Sequence, residues 1–181
     1  MVNIYLESFW LALPAFAANM APVIVQKLHA FEKLNVPIDG GKSLFGKRIF
    51  GEHKTVRGLL IGTLAGIFIV AVQYAAVNFF ELPFAHLHSL TEFLLFGALS
   101  GFGALMGDAI ESFFKRQIGI GSGRPFIPFD QIDYILGFLL CTELLISWKW
   151  QEVVFLLLCG AVLNPLINFL SYLTGIKKTY W

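Results

Sequence analysis

The sequence is short of charge. Of its 181 residues, 14% are charged, against about 25% in a typical soluble domain. A soluble domain of this length has a large surface for its volume and needs polar side chains to cover it. The shortage therefore argues against a soluble globule, and the high apolar content excludes a disordered chain. Cysteine is equally scarce. Cys141 and Cys159 are the only two, each inside an apolar stretch, which excludes a disulfide scaffold and offers no metal-ligand spacing. The chain also lacks internal repeats, low-complexity segments and any Pro/Ser-rich linker, so residues 1–181 read as one domain.

What is there is 57% hydrophobic and 15% aromatic. A bilayer core of about 30 Å needs roughly 20 apolar residues per helix. Five stretches qualify: about Tyr5 to Gln26, the run that follows Arg57 and ends at Phe80, Leu90 to Phe114, a short one at about Ile132 to Trp148, and Val153 to Thr174. None shows the alternation of a barrel strand. The first carries Glu7 and has no basic residue before it, so it reads as a span rather than a signal peptide. The expected fold is all-α, a polytopic membrane protein with five transmembrane helices. Gly58, Gly62 and Gly66, then Gly97 with Gly101 and Gly103 with Gly107, form four-residue stripes that let helices approach closely.

The net charge of +1 hides a strong asymmetry. Segment 27–57 holds Lys27, Lys33, Lys42, Lys47, Arg48, Lys54 and Arg57. Segment 115–131 adds Lys115, Arg116 and Arg124, and the tail adds Lys177 and Lys178. In a five-span chain these twelve of the thirteen basic residues share one side, and Lys149 alone takes the other. The positive-inside rule makes the basic side cytoplasmic, with the N-terminus outside and the C-terminus inside. The segment from Glu81 to Ser89 carries no Lys or Arg, as an outer loop should, and Trp148, Trp150 and Trp181 fit interfacial anchors.

Ionisable residues at membrane depth point to function. At the inner end of the third span, Asp108, Glu111, Ser112 and Lys115 are spaced to share one helix face. An intramembrane ion pair is the simpler reading of that face. A glycine-rich turn, Gly119 to Gly123, follows, and then Asp130 and Asp133 open the fourth span. Carboxylates there also serve as helix caps. Oxygen-only sites of this kind suit Mg²⁺, which keeps waters and bridges to phosphates. The long inner loop interleaves glycines with Lys42, Lys47, Arg48, Lys54 and Arg57, a composition that suits either a solvated basic loop or a polyphosphate cradle. Its run from Gly41 to Arg48 is not a P-loop, since Arg48 stands where Ser or Thr belongs and no strand precedes it. His53 reads as a hydrogen-bonding loop residue. Asn19 near Pro22, and Asn164-Pro165 with Asn168, fit either ligand-binding groups or, the simpler reading, groups that satisfy backbone freed by proline.

The segment from Gly107 to Asp133 resembles the signature of the CTP:phosphatidate cytidylyltransferase superfamily, also called CDP-diacylglycerol synthases. The matching residues are Gly107-Asp108, Ser112, Lys115-Arg116, Gly119, Pro128 and the closing Asp130-Gln131-Ile132-Asp133. Phe129 and Gln131 depart from the bacterial and eukaryotic enzymes, which have a His-Gly-Gly run and an Arg there. Those departures, the five-span size and the loop Pro37-Ile38-Asp39-Gly40 to Lys54-Thr55-Val56-Arg57-Gly58 look like the CDP-archaeol synthase branch.

The resemblance implies transfer of CMP from CTP to an unsaturated archaetidic acid, a geranylgeranylglyceryl phosphate, with release of pyrophosphate. It implies Mg²⁺ as cofactor, held by Asp108, Asp130 and Asp133. Lys115 and Arg116 would hold the lipid phosphate or the CTP phosphates. Lys42, Lys47, Arg48, Lys54 and Arg57 would cradle the triphosphate, with Glu111 and Ser112 in support. CTP would arrive from the cytosol at an active site on the inner face of the cell membrane; no nucleic acid partner is expected. The rivals are a synthase acting on ester-linked phosphatidic acid, a small ion-coupled transporter using the same acid–base cluster, and a structural subunit whose charges are all paired.

Overall fold

The computed structural model describes residues 4–80 and 86–176. Glu81, the C-terminal Lys177 and Lys178, and Trp181 lie outside the described residues. Five helices dominate: α1 (Ile4–Lys27), α2 (Val56–Phe80), α3 (Leu90–Gln117), α4 (Phe129–Thr142) and α5 (Trp150–Leu173). A single 3₁₀ turn (Glu32–Leu34) and a minimal antiparallel hairpin, β1 (Ser43–Leu44) with β2 (Lys47–Arg48), fill the loop between α1 and α2.

Four of the helices, α1, α2, α3 and α5, are long and apolar enough to cross a membrane. The bounds of the fourth expected span are corrected. Its helix starts three residues early, at Phe129, and ends at Thr142 rather than Trp148. Fourteen residues rise about 21 Å, short of the roughly 30 Å core. The stop is built by side chains. Thr142 Oγ1 donates to the Phe138 carbonyl at 2.8 Å and accepts from Trp148 Nε1 at 3.0 Å, while Glu143 Oε2 accepts the Trp148 amide at 3.2 Å. The chain thus folds back on the end of α4 before α5 begins.

Several buried polar groups in the spans find partners on neighbouring helices. Pro14 lacks an amide hydrogen, which frees the carbonyl of Trp10 one turn earlier. Gln73 Nε2 of α2 donates to that carbonyl at 2.7 Å. Ser8 Oγ of α1 bonds Glu152 of α5 at 3.1 Å, and at the other end Lys27 Nζ bonds the Gly175 carbonyl at 2.6 Å. These two links set α1 and α5 side by side in the same direction. Phe96, Tyr134, Ile135, Phe138 and Leu156 are completely enclosed between helices. In a bilayer such enclosure gains close packing rather than removal from water.

The first turn of α4 lies against the middle of α5. Asn164 Nδ2 donates to the Asp130 carbonyl at 2.7 Å, and a side chain on Gly160 would meet Ile135 and the Gln131 carbonyl. Asn164 is nine residues, about 14 Å, short of the end of α5. The acidic start of α4 is therefore sunk below the end of the bundle, next to the acidic stretch of α3.

Candidate functional site

Glycines decide how near the acids of α3 and α4 come. A Cβ on Gly107 would run into the Asp133 carbonyl, and one on Gly137 into the Gly103 carbonyl. With hydrogen in those places the two helices cross almost backbone to backbone. Asp108 follows Gly107 directly, so the same crossing carries it to Asp133. Asp108, Glu111 and Asp133 each place a carboxylate oxygen within 4.8 Å of the others.

Three carboxylates at that spacing repel one another unless cations intervene. Lys54 Nζ lies 2.5 Å from Asp108 Oδ2. Lys115 Nζ lies 3.6 Å from Glu111 Oε1 and 2.6 Å from Asp130 Oδ1. The Tyr134 amide donates to Asp133 Oδ1 at 2.6 Å. Glu111 Oε1 nevertheless has no hydrogen-bond donor, although its side chain is only 6% exposed. A buried carboxylate oxygen left in that state invites a ligand. The donor set is all oxygen and two of its members are buried, which fits a hard divalent cation.

Asp130 is placed differently from the sequence expectation. It stands outside the trio, held by Lys115 and accepting the Phe126 amide, and Glu111 takes the position expected for it. The reason is local. The amide of Phe126, at the end of the 118–128 loop, turns toward Asp130, so that carboxylate closes the loop onto the first turn of α4.

The inner loop is organised by Asp39. Its buried carboxylate accepts the amides of Gly41 (2.9 Å), Phe50 (3.1 Å) and Gly51 (3.2 Å) and the Arg48 guanidinium (2.9 Å). Burial alone would raise its pKa. The donors from Arg48, Phe50, Gly41 and Gly51 outweigh it and hold the carboxyl at about 2. Gly51 takes φ +97°, which lets the chain turn at that point and run on to His53 and Lys54. The Ile38 amide pairs with the Lys54 carbonyl at 2.8 Å and anchors the far side.

This arrangement sorts the basic residues. Lys54 reaches the acids. Arg48 is spent on Asp39, with Glu52 at 4.0 Å. Lys47 donates to the Gln117 carbonyl at 2.5 Å and pins the hairpin to the end of α3. Arg57 is buried and bonds Glu32 (2.9 Å) and the Ala30 carbonyl (3.0 Å), so it closes the loop at its other end and does not join the cluster. Lys42 is exposed on the hairpin.

An open, polar cavity of about 130 Å³ lies over the acids. Its walls include Lys54, Asp108, Glu111, Ser112, Lys115, Arg116 and Asp130, with Phe50, His53, Ser122 and Gly123. Lys42, Lys47, Arg48 and Arg57 are not among them. Arg116 Nε is buried without a hydrogen-bond acceptor, a second unsatisfied group at the wall. The sequence reading missed His53 and Phe50 as wall residues, and it gave Asn164 a backbone role without identifying Asp130 as its partner. Asn168 Nδ2 in turn donates to Asn164 Oδ1 at 3.1 Å, a polar ladder along α5 that ends on the acidic turn. The i, i+4 spacing of two asparagines in an apolar helix was the available signal.

Comparison with known proteins points the same way. The family described as CarS-like CDP-archaeol synthase matches residues 1–181. A CDP-archaeol synthase of Thermococcus onnurineus is 35% identical over 177 residues, covering 97% of this chain and 96% of that one. One of Methanospirillum hungatei is 39% identical over 154 residues, 81% and 90% of the two chains. A solved structure of an intramembrane enzyme for archaeal membrane lipid biosynthesis superposes with a TM-score of 0.75 at 31% identity, covering 91% of this chain and 94% of that one. The chain belongs to the CDP-archaeol synthase family.

Proposed function

We propose that the cavity at the basic end of the bundle transfers CMP from CTP to an unsaturated archaetidic acid, giving CDP-archaeol and pyrophosphate. Membership of a family of membrane cytidylyltransferases for ether-lipid synthesis supports the reaction class. The observation that carries the site is a cavity lined by Asp108, Glu111 and Asp130 with Lys54, Lys115 and Arg116, where Asp133 comes within 4.8 Å of the first two acids.

The chemistry needs alignment more than a strong base. A lipid phosphate is already an anionic nucleophile near neutral pH. One of its oxygens attacks the α-phosphorus of CTP, the bond from that phosphorus to the bridging α–β oxygen breaks, and pyrophosphate leaves with the electron pair. The barrier is repulsion between anions and the geometry of in-line approach. Asp108, Glu111 and Asp133 would hold Mg²⁺, with Asp130 positioning Lys115. A bound divalent ion there would offset phosphate charge and stabilise the departing pyrophosphate. Lys54, Lys115 and Arg116 supply cationic donors to phosphate oxygens, and Ser112 lines the same wall. Arg48, Lys47 and Arg57 serve the transfer through the loop they hold in place, and Lys42 adds charge at its rim.

The chain is read as crossing the cell membrane five times, with α4 and the turn after it making the short fourth crossing. The N-terminus lies outside, and the C-terminus and the cavity face the cytoplasm. The bias of Lys and Arg toward one end supports that orientation. CTP then enters from water while the lipid phosphate stays at the interface.

The test is to offer purified protein radiolabelled CTP, Mg²⁺ and either unsaturated archaetidic acid or phosphatidic acid. Lipid-soluble label from the archaetidic acid alone is the expected result. Label from phosphatidic acid alone would overturn the substrate assignment. Ion flux in proteoliposomes without any lipid-soluble label would favour a transporter.

A further inference from the structure

Lys54 holds a place that two ligands would contest. Its backbone is fixed by the Ile38 amide and by the pairing of Thr55 with Pro37, so only the side chain has room to move. The ammonium sits 2.5 Å from Asp108 Oδ2, with Lys54 20% and Asp108 28% exposed, both on the cavity wall. A divalent cation binds carboxylate oxygens at about 2.0–2.6 Å. A cation bound at Asp108 would contest the carboxylate that the ammonium now neutralises, and its charge would repel the ammonium. The flexible four-carbon stem lets the ammonium swing from Asp108 into the cavity. Lys115 does not have that freedom: it is 9% exposed and bound at 2.6 Å to Asp130, outside the trio.

We propose that Lys54 is exchanged between Asp108 and the phosphates of the nucleotide, and that this exchange couples metal binding to nucleotide binding. Without a metal, Lys54 offsets the repulsion among Asp108, Glu111 and Asp133. When a divalent cation takes Asp108, the freed ammonium turns to the triphosphate entering the same cavity. The inference rests on the reading of the trio as a metal site and adds an order to it: the metal releases the residue that then captures the nucleotide.

The consequence is a pair of effects with opposite signs. Removing the Lys54 charge takes away a competitor for Asp108, so metal alone binds more tightly. It also takes away a phosphate donor, so nucleotide alone binds more weakly. A lysine with a structural role only would move both in the same direction.

The experiment uses the full chain in detergent. Mn²⁺ alone is titrated by electron paramagnetic resonance, and α,β-methylene CTP by calorimetry with and without Mn²⁺. Lys54→Gln is expected to tighten Mn²⁺ binding and weaken nucleotide binding, each by about tenfold, and to remove most of the gain in nucleotide affinity that Mn²⁺ confers. Lys54→Arg, which keeps the charge, is expected to restore Mn²⁺ affinity to near the wild-type value. Lys33→Gln, an exposed lysine of the same loop, is expected to leave it unchanged. Unchanged or weaker Mn²⁺ binding in Lys54→Gln overturns the exchange while leaving the metal site standing. An equal gain in Lys33→Gln also overturns it, as a general charge effect. A wild-type protein that transfers CMP yet binds no Mn²⁺ or Mg²⁺ overturns the metal reading and the exchange together.

Discussion

Asp39 and Asp133 are both buried aspartates at the basic end of the bundle, and their surroundings are opposites. Asp39 is saturated by three backbone amides and a guanidinium. Asp133 has the amide of its neighbour Tyr134 and faces two more carboxylates, one of which keeps an oxygen without a donor. A carboxylate whose lone pairs are all filled by its own chain has nothing left to offer a ligand and acts as an organiser of structure. Acids crowded together with capacity to spare have the chemistry of a receptor, the role we propose for them. Both occur within one site, and the first kind orients the loop that brings Lys54 to the second.

The contrast is broken most severely at the receptor. Asp108→Asn and Asp133→Asn should each lower CMP transfer by about 10³-fold, the scale of losing an electrostatic stabiliser of the transition state. The purified variants should keep the wild-type elution volume and melting behaviour. Wild-type turnover in Asp108→Asn would remove it from the mechanism. Next in size is Gly137→Val, which forces α3 and α4 apart where the Gly103 carbonyl now sits. Overpacking of this kind costs about 1–3 kcal/mol. Thermal unfolding in detergent should shift down, and transfer should fall with it, by less than in the aspartate variants, as the acids separate.

The organiser gives smaller effects of another kind. Asp39→Asn should raise the KM for CTP about tenfold and alter kcat little, because the loop loosens while the acids remain in place. The pH dependence follows from its depressed pKa. Its contribution to loop order is complete above the ordinary carboxylate value of 3.8 and is lost as pH falls toward about 2. The protection of the Phe50 and Gly51 amides, taken relative to an unstructured amide at the same pH, should stay high at pH 5 and fall near pH 2. Unchanged protection across that range would remove Asp39 from its role. Smallest of all is Asn164→Ala, which deletes one hydrogen bond to the Asp130 carbonyl. A net value of about 1 kcal/mol corresponds to roughly a fivefold loss in kcat.

The long helices were legible because apolar runs of span length have few other outcomes. The end of α4 was not, since it depends on Trp148 reaching back to Thr142 and Glu143 across a turn. The acidic face of α3 was equally plain from its spacing. Which acids would converge was not, because Glu111 and Asp130 both lie at the right end of their helices. The choice is made by the 118–128 loop, whose Phe126 amide occupies Asp130. The basic loop shows the same limit. Its seven cations look alike in sequence, and only the positions of Asp39, Glu32 and Gln117 reveal that Arg48, Arg57 and Lys47 are already engaged.

The central claim is that the crowded acids, and not the saturated one, bind a divalent cation. Titration of Mn²⁺ into the purified chain, followed by electron paramagnetic resonance, tests it directly in Asp133→Asn and Asp39→Asn side by side. Saturable binding should disappear in Asp133→Asn and persist in Asp39→Asn. Binding that survives the first substitution and fails in the second would contradict the account.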